Sequence, residues 1–310
     1  MFGTCRTLLL SLALCAMARA AQAGPTEWWV LAAQLDSGDR VLVELTLTDV
    51  GPGEHNAAAI GEWIAKDGTR TPFSRAKLGG DWTPSADGRR IDLGKFVFDR
   101  SAARTQLRVE KGSLRMLLEF PLASAALATR RLAGGKWTQE LWTASAPVDA
   151  SLWKRGMAAP LATKGRVALS HRMIDGPEAK LAARRLEAFT LGAAPIYVLE
   201  VAKGGRAERW VAAFDSRGKL LAQDAGSVAS SGPLSAPSPQ LALAGPGATG
   251  ALLSGTRLAS YDPLANLPAP IRFLLGLRLK STWMASPYDV SVSAAQRKGT
   301  AIASYTFYAE

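Results

Sequence analysis

The sequence predicts an all-β protein with antiparallel sheets, and three observations lead to that class. Short apolar segments follow one another along the chain, separated by the Gly, Pro, Asp and Asn residues that are typical of turns. Within Arg40–Asp49 the side chains alternate at period two, as in a strand that turns one face to a core. No long segment has helical periodicity, which disfavours parallel βαβ units and favours a sandwich or a barrel.

The first 23 residues have the three parts of a secretory signal peptide. Arg6 supplies a positive charge, Thr7–Ala18 is apolar, and residues 21–23 form an A-x-A cleavage site. The apolar part is shorter than the roughly 20 residues that span a bilayer. We therefore expect residues 1–23 to be removed and the mature protein to be exported, either to a periplasm or out of the cell.

Turn residues divide the first half of the mature chain into segments that can pair as hairpins. Asp36–Asp39 separates the first two segments, and Gly68 and Gly112 mark two further tight turns. Ala123–Leu132 is predicted to be a short helix. The predicted strands of this half are Glu27–Gln34, Arg40–Asp49, Ala58–Ala65, Thr71–Phe73, Arg90–Phe98, Thr105–Glu110, Ser113–Phe120 and Gly135–Thr143.

The second half repeats this organisation after Gly165. Glu178–Arg185 is predicted to be a short helix, and Ser227–Gly250, rich in Ser, Pro, Ala and Gly, a long loop. The predicted strands are Arg166–Arg172, Leu186–Leu191, Ile196–Val201, Arg209–Phe214, Leu220–Asp224, Gly250–Ser260, Tyr288–Ala294 and Ala301–Tyr308. A Trp-bearing strand runs into a Gly turn near both Trp29 and Trp210, which suits two similar β units. We place them at residues 24–170 and 171–310.

Composition excludes several classes of function. The formal net charge is +11, and loss of Arg6 and Arg19 with the leader would leave +9, but the basic residues are dispersed. Dispersed charge and export disfavour nucleic acid as a partner, while contact with an anionic membrane surface stays open. Both cysteines lie in the leader, so the mature chain has no disulfide and no thiol chemistry. With two histidines and no paired spacing, we expect no metal site.

Two motifs that elsewhere indicate chemistry are read here as chance. Residues 245–250 match G-x-G-x-x-G, but the following segment is β-like, whereas a dinucleotide site needs a helix there. Three S-x-x-K matches occur without the partner motifs of serine acyl enzymes. We expect no cofactor.

Aromatic residues are the main indication of a ligand pocket. Nine tryptophans are many for this length, and all lie in the mature chain. Most are expected in cores, but two or three could line a cavity for an elongated apolar ligand. The candidate ligand-binding residues are Trp29, Trp63, Trp210, Tyr261, Trp283 and Tyr288.

Three residues are candidates for acid catalysis. His171 follows a strand-like segment and could point inward, where a carboxylate would orient it. Asp262 and Asp289 each follow a tyrosine, and a carboxylic acid in an apolar pocket has a raised pKa. The alternatives are a hydrogen-bonded structural histidine and, because prolines adjoin both Tyr-Asp pairs, ordinary turns.

The opening Glu27-Trp28-Trp29-Val30, followed by a hairpin and by Gly-Pro-Gly at 51–53, resembles the AttH-like two-domain lipocalin-type group. This group includes hydroxyneurosporene synthase (carotenoid 1,2-hydratase), and its usual start is Glu-Trp-Trp-Tyr. The resemblance implies two tandem lipocalin-like (calycin) antiparallel β-barrels and a pocket for an isoprenoid, a polyketide or a lipid. The mid-chain Tyr-x-Asp-His-Asn run of the hydratases is absent, so no catalytic residue is carried over.

The combined prediction is an exported lipocalin-like protein that binds a small apolar ligand. If it is an enzyme, it would be a cofactor-free hydratase, isomerase or cyclase that holds a flexible substrate in a reactive fold and supplies an acid. Two alternatives are a non-catalytic periplasmic lipid carrier and an envelope protein-interaction module. An ionisable group inside the pocket would favour the enzyme, whereas filled barrels with an exposed apolar patch would favour the interaction module.

Overall fold

The computed structural model describes residues 26–49, 56–77, 81–82, 85, 87–101, 103–176, 178–191, 195–225, 227–230, 240–244, 251–254, 260–261, 281–292 and 297–308. Beyond residue 225 the description covers the backbone alone. The predicted signal peptide and His55 lie outside these ranges. No helix within them is long and apolar enough to cross a bilayer.

The first sheet contains eleven of the described strands, all paired in antiparallel fashion. They are β1 (Thr26–Leu35), β2 (Arg40–Thr48), β3 (Asn56–Ile64), β4 (Arg70–Lys77), β5 (Arg90–Asp92), β6 (Phe96–Asp99), β7 (Thr105–Lys111), β8 (Leu114–Phe120), β9 (Ala128–Leu132), β10 (Trp137–Lys154) and β11 (Leu161–Ile174).

Neighbouring strands of this sheet follow the order β4-β3-β2-β1-β11-β10-β8-β7-β6-β5, and β9 pairs with the first half of β10. The sheet curls strongly, so its two end strands approach each other. Arg75 of β4 donates a hydrogen bond from Nε to the Leu93 carbonyl just after β5, at 3.1 Å. A curled antiparallel sheet encloses one face of every strand, which is the lipocalin-like arrangement.

The second sheet contains ten described strands, and a one-turn helix, α1 (Glu178–Leu181), precedes it. Its order is β15-β14-β13-β12-β21-β20-β18-β17-β16, with β19 beside β20. The strands are β12 (Arg184–Leu191), β13 (Ile196–Lys203), β14 (Arg206–Phe214), β15 (Leu220–Asp224), β16 (Ser227–Ser230), β17 (Gln240–Ala244), β18 (Ala251–Ser254), β19 (Ser260–Tyr261), β20 (Ser281–Val292) and β21 (Arg297–Tyr308).

Strand β1 is buried on both faces, which explains why its sequence is almost continuously apolar. Trp29 and Leu31 point into the core enclosed by the first sheet. Trp28 and Val30 point the other way and pack in a second core together with residues of the second sheet such as Trp210. One strand therefore joins the inside of the first sheet to the contact between the two sheets.

A buried cluster of charges lies at that contact. The guanidinium of Arg172 (β11) lies 2.9 Å from Glu44 (β2) and 3.2 Å from Glu187 (β12). Arg185 of β12 lies 3.1 Å from Glu44 and 3.0 Å from Glu178. All five side chains are at least nine-tenths buried, so their charges are compensated mainly by one another.

The predicted all-β class is confirmed, but three local predictions were wrong in whole or in part. Residues 128–132 form strand β9 rather than the end of a helix, because they pair with β10. The helix predicted at Glu178–Arg185 is confined to Glu178–Leu181. The loop predicted over Ser227–Gly250 contains the paired strands β16 and β17. The chain passes from the first sheet to the second between Ile174 and Arg184.

Candidate functional site

Three neighbouring strands bring polar side chains together at one end of the first sheet. In the register of β1, β11 and β10, His171 lies opposite Trp29 on one side and opposite Glu140 on the other. Glu27 lies two residues before Trp29 and therefore on the same face of β1. Glu140 and Glu27 precede His171 by 31 and 144 positions in the sequence. Strand pairing alone therefore makes these residues neighbours.

His171 lies between two carboxylates. Its Nε2 is 2.7 Å from Oε1 of Glu27, and its Nδ1 is 3.0 Å from Oε2 of Glu140. The His171 side chain is 7% exposed, whereas those of Glu27 and Glu140 are 37% and 20% exposed. The imidazole is consequently shielded from water, but both of its partners reach the surface.

Each carboxylate is also held by a tryptophan two residues further along its own strand. Trp29 donates its indole N–H to Oε1 of Glu27 at 3.2 Å, and Trp142 donates its own to Oε2 of Glu140 at 3.0 Å. The same Glu-x-Trp sequence therefore occurs on both strands that flank His171. We call Glu27, His171 and Glu140, with these two indoles, the Glu-His-Glu cluster.

The cluster favours the charged forms of all three ionisable groups. Burial alone would lower the pKa of His171, but the hydrogen bonds to Glu140 and Glu27 outweigh it and raise that pKa above its ordinary 6.5. Burial opposes ionisation of Glu27, yet the hydrogen bond and charge of His171 lower its pKa below 4.5. The hydrogen bond to His171 likewise lowers the pKa of Glu140 against burial. Both ring nitrogens face carboxylate oxygens, which accept hydrogen bonds, so the imidazolium is the form of His171 that satisfies both contacts.

Trp29 connects the cluster to an apolar recess. The His171 ring stacks on its indole with the ring centroids 3.9 Å apart and the planes at 13°. Phe98 and Trp142 lie at 5.6 and 5.9 Å, and the guanidinium carbon of Arg100 lies 4.0 Å from the centroid of the same indole. One aromatic ring thus carries two cations and also faces the core of the sheet.

The recess itself is lined by apolar side chains alone. It contains about 200 Å³ of space when solvent at its mouth is included, and its enclosed part has room for about one water molecule. This is smaller than the roughly 300–1,000 Å³ of drug-sized ligand sites. A ligand must therefore be slim, or side chains must move to admit it. The lining residues are Trp29, Leu31, Val43, Leu45, Phe96, Phe98, Leu107 and Leu169.

The Glu-His-Glu cluster does not have the geometry of a metal site. Its two carboxylates bind opposite nitrogens of one imidazole ring and therefore cannot converge on a common ion with it. Across the part of the chain that the structure describes, no other group of three or more His, Cys, Asp or Glu side chains is placed to hold a metal.

The remaining candidates from the sequence lie in several places. Trp63 is buried in the core of the first sheet but does not line the recess. Trp210 is fully buried in the core between the sheets, where its indole N–H bonds to Gln223 at 3.1 Å. Asp262 and the side chains of Tyr261, Trp283, Tyr288 and Asp289 lie outside the described residues, although the backbone of Asp289 pairs with Thr300.

Solved structures provide the comparison with known proteins. A candidate AttH from Nitrosomonas europaea has a TM-score of 0.66 and 12% identity, over 93% of this chain and 94% of its own. Kievitone hydratase from Nectria haematococca has a TM-score of 0.60 and 10% identity, over 92% and 89%. CghA in complex with Sch210972 has a TM-score of 0.58 and 12% identity, over 92% and 89%. The chain has the AttH-like fold.

The predicted resemblance to the AttH-like group is thereby confirmed at the level of the fold. No protein-family model and no curated protein matches the sequence. At identities of 10–12% the AttH-like fold establishes architecture, and the chemistry must be argued from the side chains of this chain.

Sequence reasoning selected His171 and Trp29 but missed four of their partners as site residues. Glu27 was named only within the opening Glu-Trp-Trp that resembles the AttH-like group, and Glu140, Trp142 and Arg100 were not selected. A local signal was present but not unique, because Glu-x-Trp occurs at 27–29, at 140–142 and also at 208–210, where the indole bonds to Gln223 instead. On a strand this spacing places the carboxylate and the indole on one face, within hydrogen-bonding reach.

Proposed function

We propose that this chain is an exported protein that binds a small apolar molecule at the open end of the first sheet and acts on it by cofactor-independent acid–base chemistry. The observation that carries the proposal is the juxtaposition of the Glu-His-Glu cluster with an entirely apolar recess, joined by Trp29. A few ionisable groups beside an apolar cavity are a usual form of a catalytic site.

The cluster can store and deliver one proton. The His171 imidazolium can pass its Nε2 proton to Glu27, whose carboxylic acid can then protonate a ligand atom and return to the carboxylate. Glu27, whose side chain is 37% exposed, can then take a proton from solvent and return it to Nε2, while Glu140 holds the proton on Nδ1 throughout. Run in reverse, the same path removes a proton from a ligand. Hydration, isomerisation and cyclisation each need such a step, and kievitone hydratase is among the proteins of this fold.

The experiment begins with the unknown ligand. Native mass spectrometry of protein purified from its own host, followed by organic extraction, should yield an isoprenoid, polyketide or lipid. The recovered compound is then incubated with wild type and with Glu27→Gln, Glu140→Gln and His171→Gln. We expect turnover to fall at least about 100-fold in each, the usual contribution of a positioned acid or base.

Matched controls separate this effect from general damage. Glu110→Gln makes the same change on an exposed strand residue of the first sheet and should leave turnover unchanged. Asp262→Asn and Asp289→Asn test the two other acids proposed from the sequence. Full turnover in all three cluster variants would exclude the acid–base role, and full loss in Asp262→Asn alone would move the chemistry to that residue.

A lipid carrier is the second candidate, because the recess offers apolar contacts only. A carrier would yield the same extracted ligand, chemically unchanged after prolonged incubation, and cluster variants would bind it as wild type does.

Export is a separate proposal. Amino-terminal sequencing of protein recovered from a periplasmic extract should begin at Gly24, whereas a start at Met1 in the cytoplasm would contradict it.

A further inference from the structure

Arg100 lies beside the recess, over two of the rings that line it. It directly follows β6, and its guanidinium carbon lies 4.0 Å from the centroid of Trp29 and 5.8 Å from that of Phe98. Both rings line the recess. The cation therefore lies over the apolar surface against which the body of a ligand would pack.

Among the residues that the structure describes, few hydrogen-bond partners face the guanidinium of Arg100. Among the described residues its hydrogen-bond acceptor is the Gly88 carbonyl, 2.8 Å from Nη2, while the buried Nε has no acceptor there. No described carboxylate lies within ion-pair distance of Arg100. By contrast, Arg172 and Arg185 are surrounded by three carboxylates.

A half-buried cation without an anionic partner is energetically unfavourable, and a ligand can supply the missing charge. Burial already lowers the pKa of Arg100, while the more distant charge of Glu27 acts in the opposite direction. A planar guanidinium suits a carboxylate, which can accept two parallel N–H bonds. Glu27 and Glu140 carry two negative charges and His171 carries one positive charge, so the cluster beside Arg100 has a net charge of −1. This negative charge favours a singly charged ligand over a doubly charged phosphate.

We propose that Arg100 binds the carboxylate of an amphipathic acid whose apolar body lies in the recess against Trp29 and Phe98. The proposal rests on the proposed function, since it needs the recess to be the ligand site, and it adds the chemical class of the ligand. It also orients the molecule, because the acid end stays at Arg100 and the adjoining carbons lie beside Glu27.

Isothermal titration calorimetry with octanoic acid and 1-octanol at pH 7 tests this class directly. The two probes differ only at the polar end, so their affinity ratio reports the contribution of the carboxylate. We expect the acid to bind wild type at least about tenfold more tightly, as for a hydrogen-bonded charge. Arg100→Gln should abolish this preference while leaving 1-octanol unchanged. Arg108→Gln, the same change at an exposed arginine of β7, should retain it.

The outcomes distinguish the two proposals. Equal affinity of wild type for both probes would overturn the role of Arg100 and leave the recess as an apolar ligand site. If neither octanoic acid nor 1-octanol bound, both the role of Arg100 and the proposal that the recess is a ligand site would be overturned. Retention of the tenfold preference in Arg100→Gln would assign the carboxylate to another cation. The wild-type comparison needs no variant and stays decisive if Arg100→Gln fails to fold.

Discussion

The Nε2 atom of His171 lies 2.7 Å from Oε1 of Glu27, a residue 144 positions earlier in the chain. The contact exists because β1 pairs with β11, and the pairing of β11 with β10 adds Glu140 on the opposite ring nitrogen. An imidazole between two carboxylates is charged, oriented and unable to rotate without breaking two hydrogen bonds. These properties give the site measurable consequences that do not depend on knowing its ligand.

The first prediction concerns the pKa of His171. NMR titration should place it above 6.5, because the hydrogen bonds to two carboxylates stabilise the imidazolium more than burial destabilises it. Glu27→Gln should lower the pKa, since it removes one negative charge and one acceptor, while Glu110→Gln should not change it. His171→Gln assigns the resonance among the two histidines of the chain. A pKa at or below 6.5 in wild type would contradict the charged state.

The second prediction concerns stability as a function of pH. The raised pKa of His171 stabilises the fold fully below 6.5, and this contribution is lost as pH rises through the folded-state value. The lowered pKa values of Glu27 and Glu140 stabilise it above 4.5, and this contribution is lost as pH falls. The two contributions coincide between pH 4.5 and 6.5.

His171→Gln should therefore lower the free energy of unfolding most between pH 4.5 and 6.5. We expect a loss of about 2 kcal/mol in the free energy of unfolding near pH 5.5, as for a buried group that leaves its partners unsatisfied. The loss should shrink at pH 9 and at pH 3. Urea unfolding of wild type and variant at the three pH values measures it, and a difference that does not vary with pH would show that packing alone is involved.

Much of the fold could be predicted from the sequence, because most strands have a recognisable pattern of side chains within their own residues. In β2 the alternation of Val41, Val43 and Leu45 with the other side chains identified the strand and the face that packs in the first core, although Leu42 and Glu44 on the other face are buried as well. Residues 128–132 were misread, because Ala and Leu favour helices locally while the pairing with β10 decides the outcome. Secondary structure could therefore be predicted wherever the local conformational preference of the residues agrees with their pairing in the sheet.

The site was readable only in part, for the same reason. An inward-facing His171 follows from its strand, but the identity of its partners depends on which strands become neighbours and in which register. A shift of one residue between β1 and β11 would place Glu27 on the opposite face. Glu140 and Arg100 come from segments that no local pattern connects to residue 171. The Glu-x-Trp spacing shared by residues 27–29 and 140–142 does not single out the two carboxylates either, because it also occurs at 208–210, outside the site.

The third prediction concerns the buried charges between the sheets. Arg172→Met removes one of the two guanidiniums that compensate Glu44, Glu178 and Glu187, and should cost about 3–5 kcal/mol in the free energy of unfolding. The same change at Arg104, whose pair with Asp149 is exposed, should cost under about 1 kcal/mol. Urea unfolding compares the two. Similar costs would mean that the buried cluster contributes little to holding the sheets together.

The fourth prediction uses a glycine on the strand that carries His171. A Cβ at Gly165 would lie 2.2 Å from the Gln34 carbonyl oxygen and 2.7 Å from Cα of Leu35, so β1 and β11 would have to separate. Gly165→Ala should cost about 1–3 kcal/mol or more, as overpacking does, and should weaken the stacking of Trp29 on His171.

Gly112→Ala is the matched control, because a Cβ there meets open space and the cost is only that of a positive φ. It should destabilise by about 1–2 kcal/mol and leave the site intact. The readouts are urea unfolding and the pKa of His171, which should change in Gly165→Ala alone. An unchanged pKa of His171 in Gly165→Ala would contradict this prediction. It would show that the β1–β11 register near Trp29 does not depend on the close approach at Gly165 and is fixed by the Glu-His-Glu cluster itself.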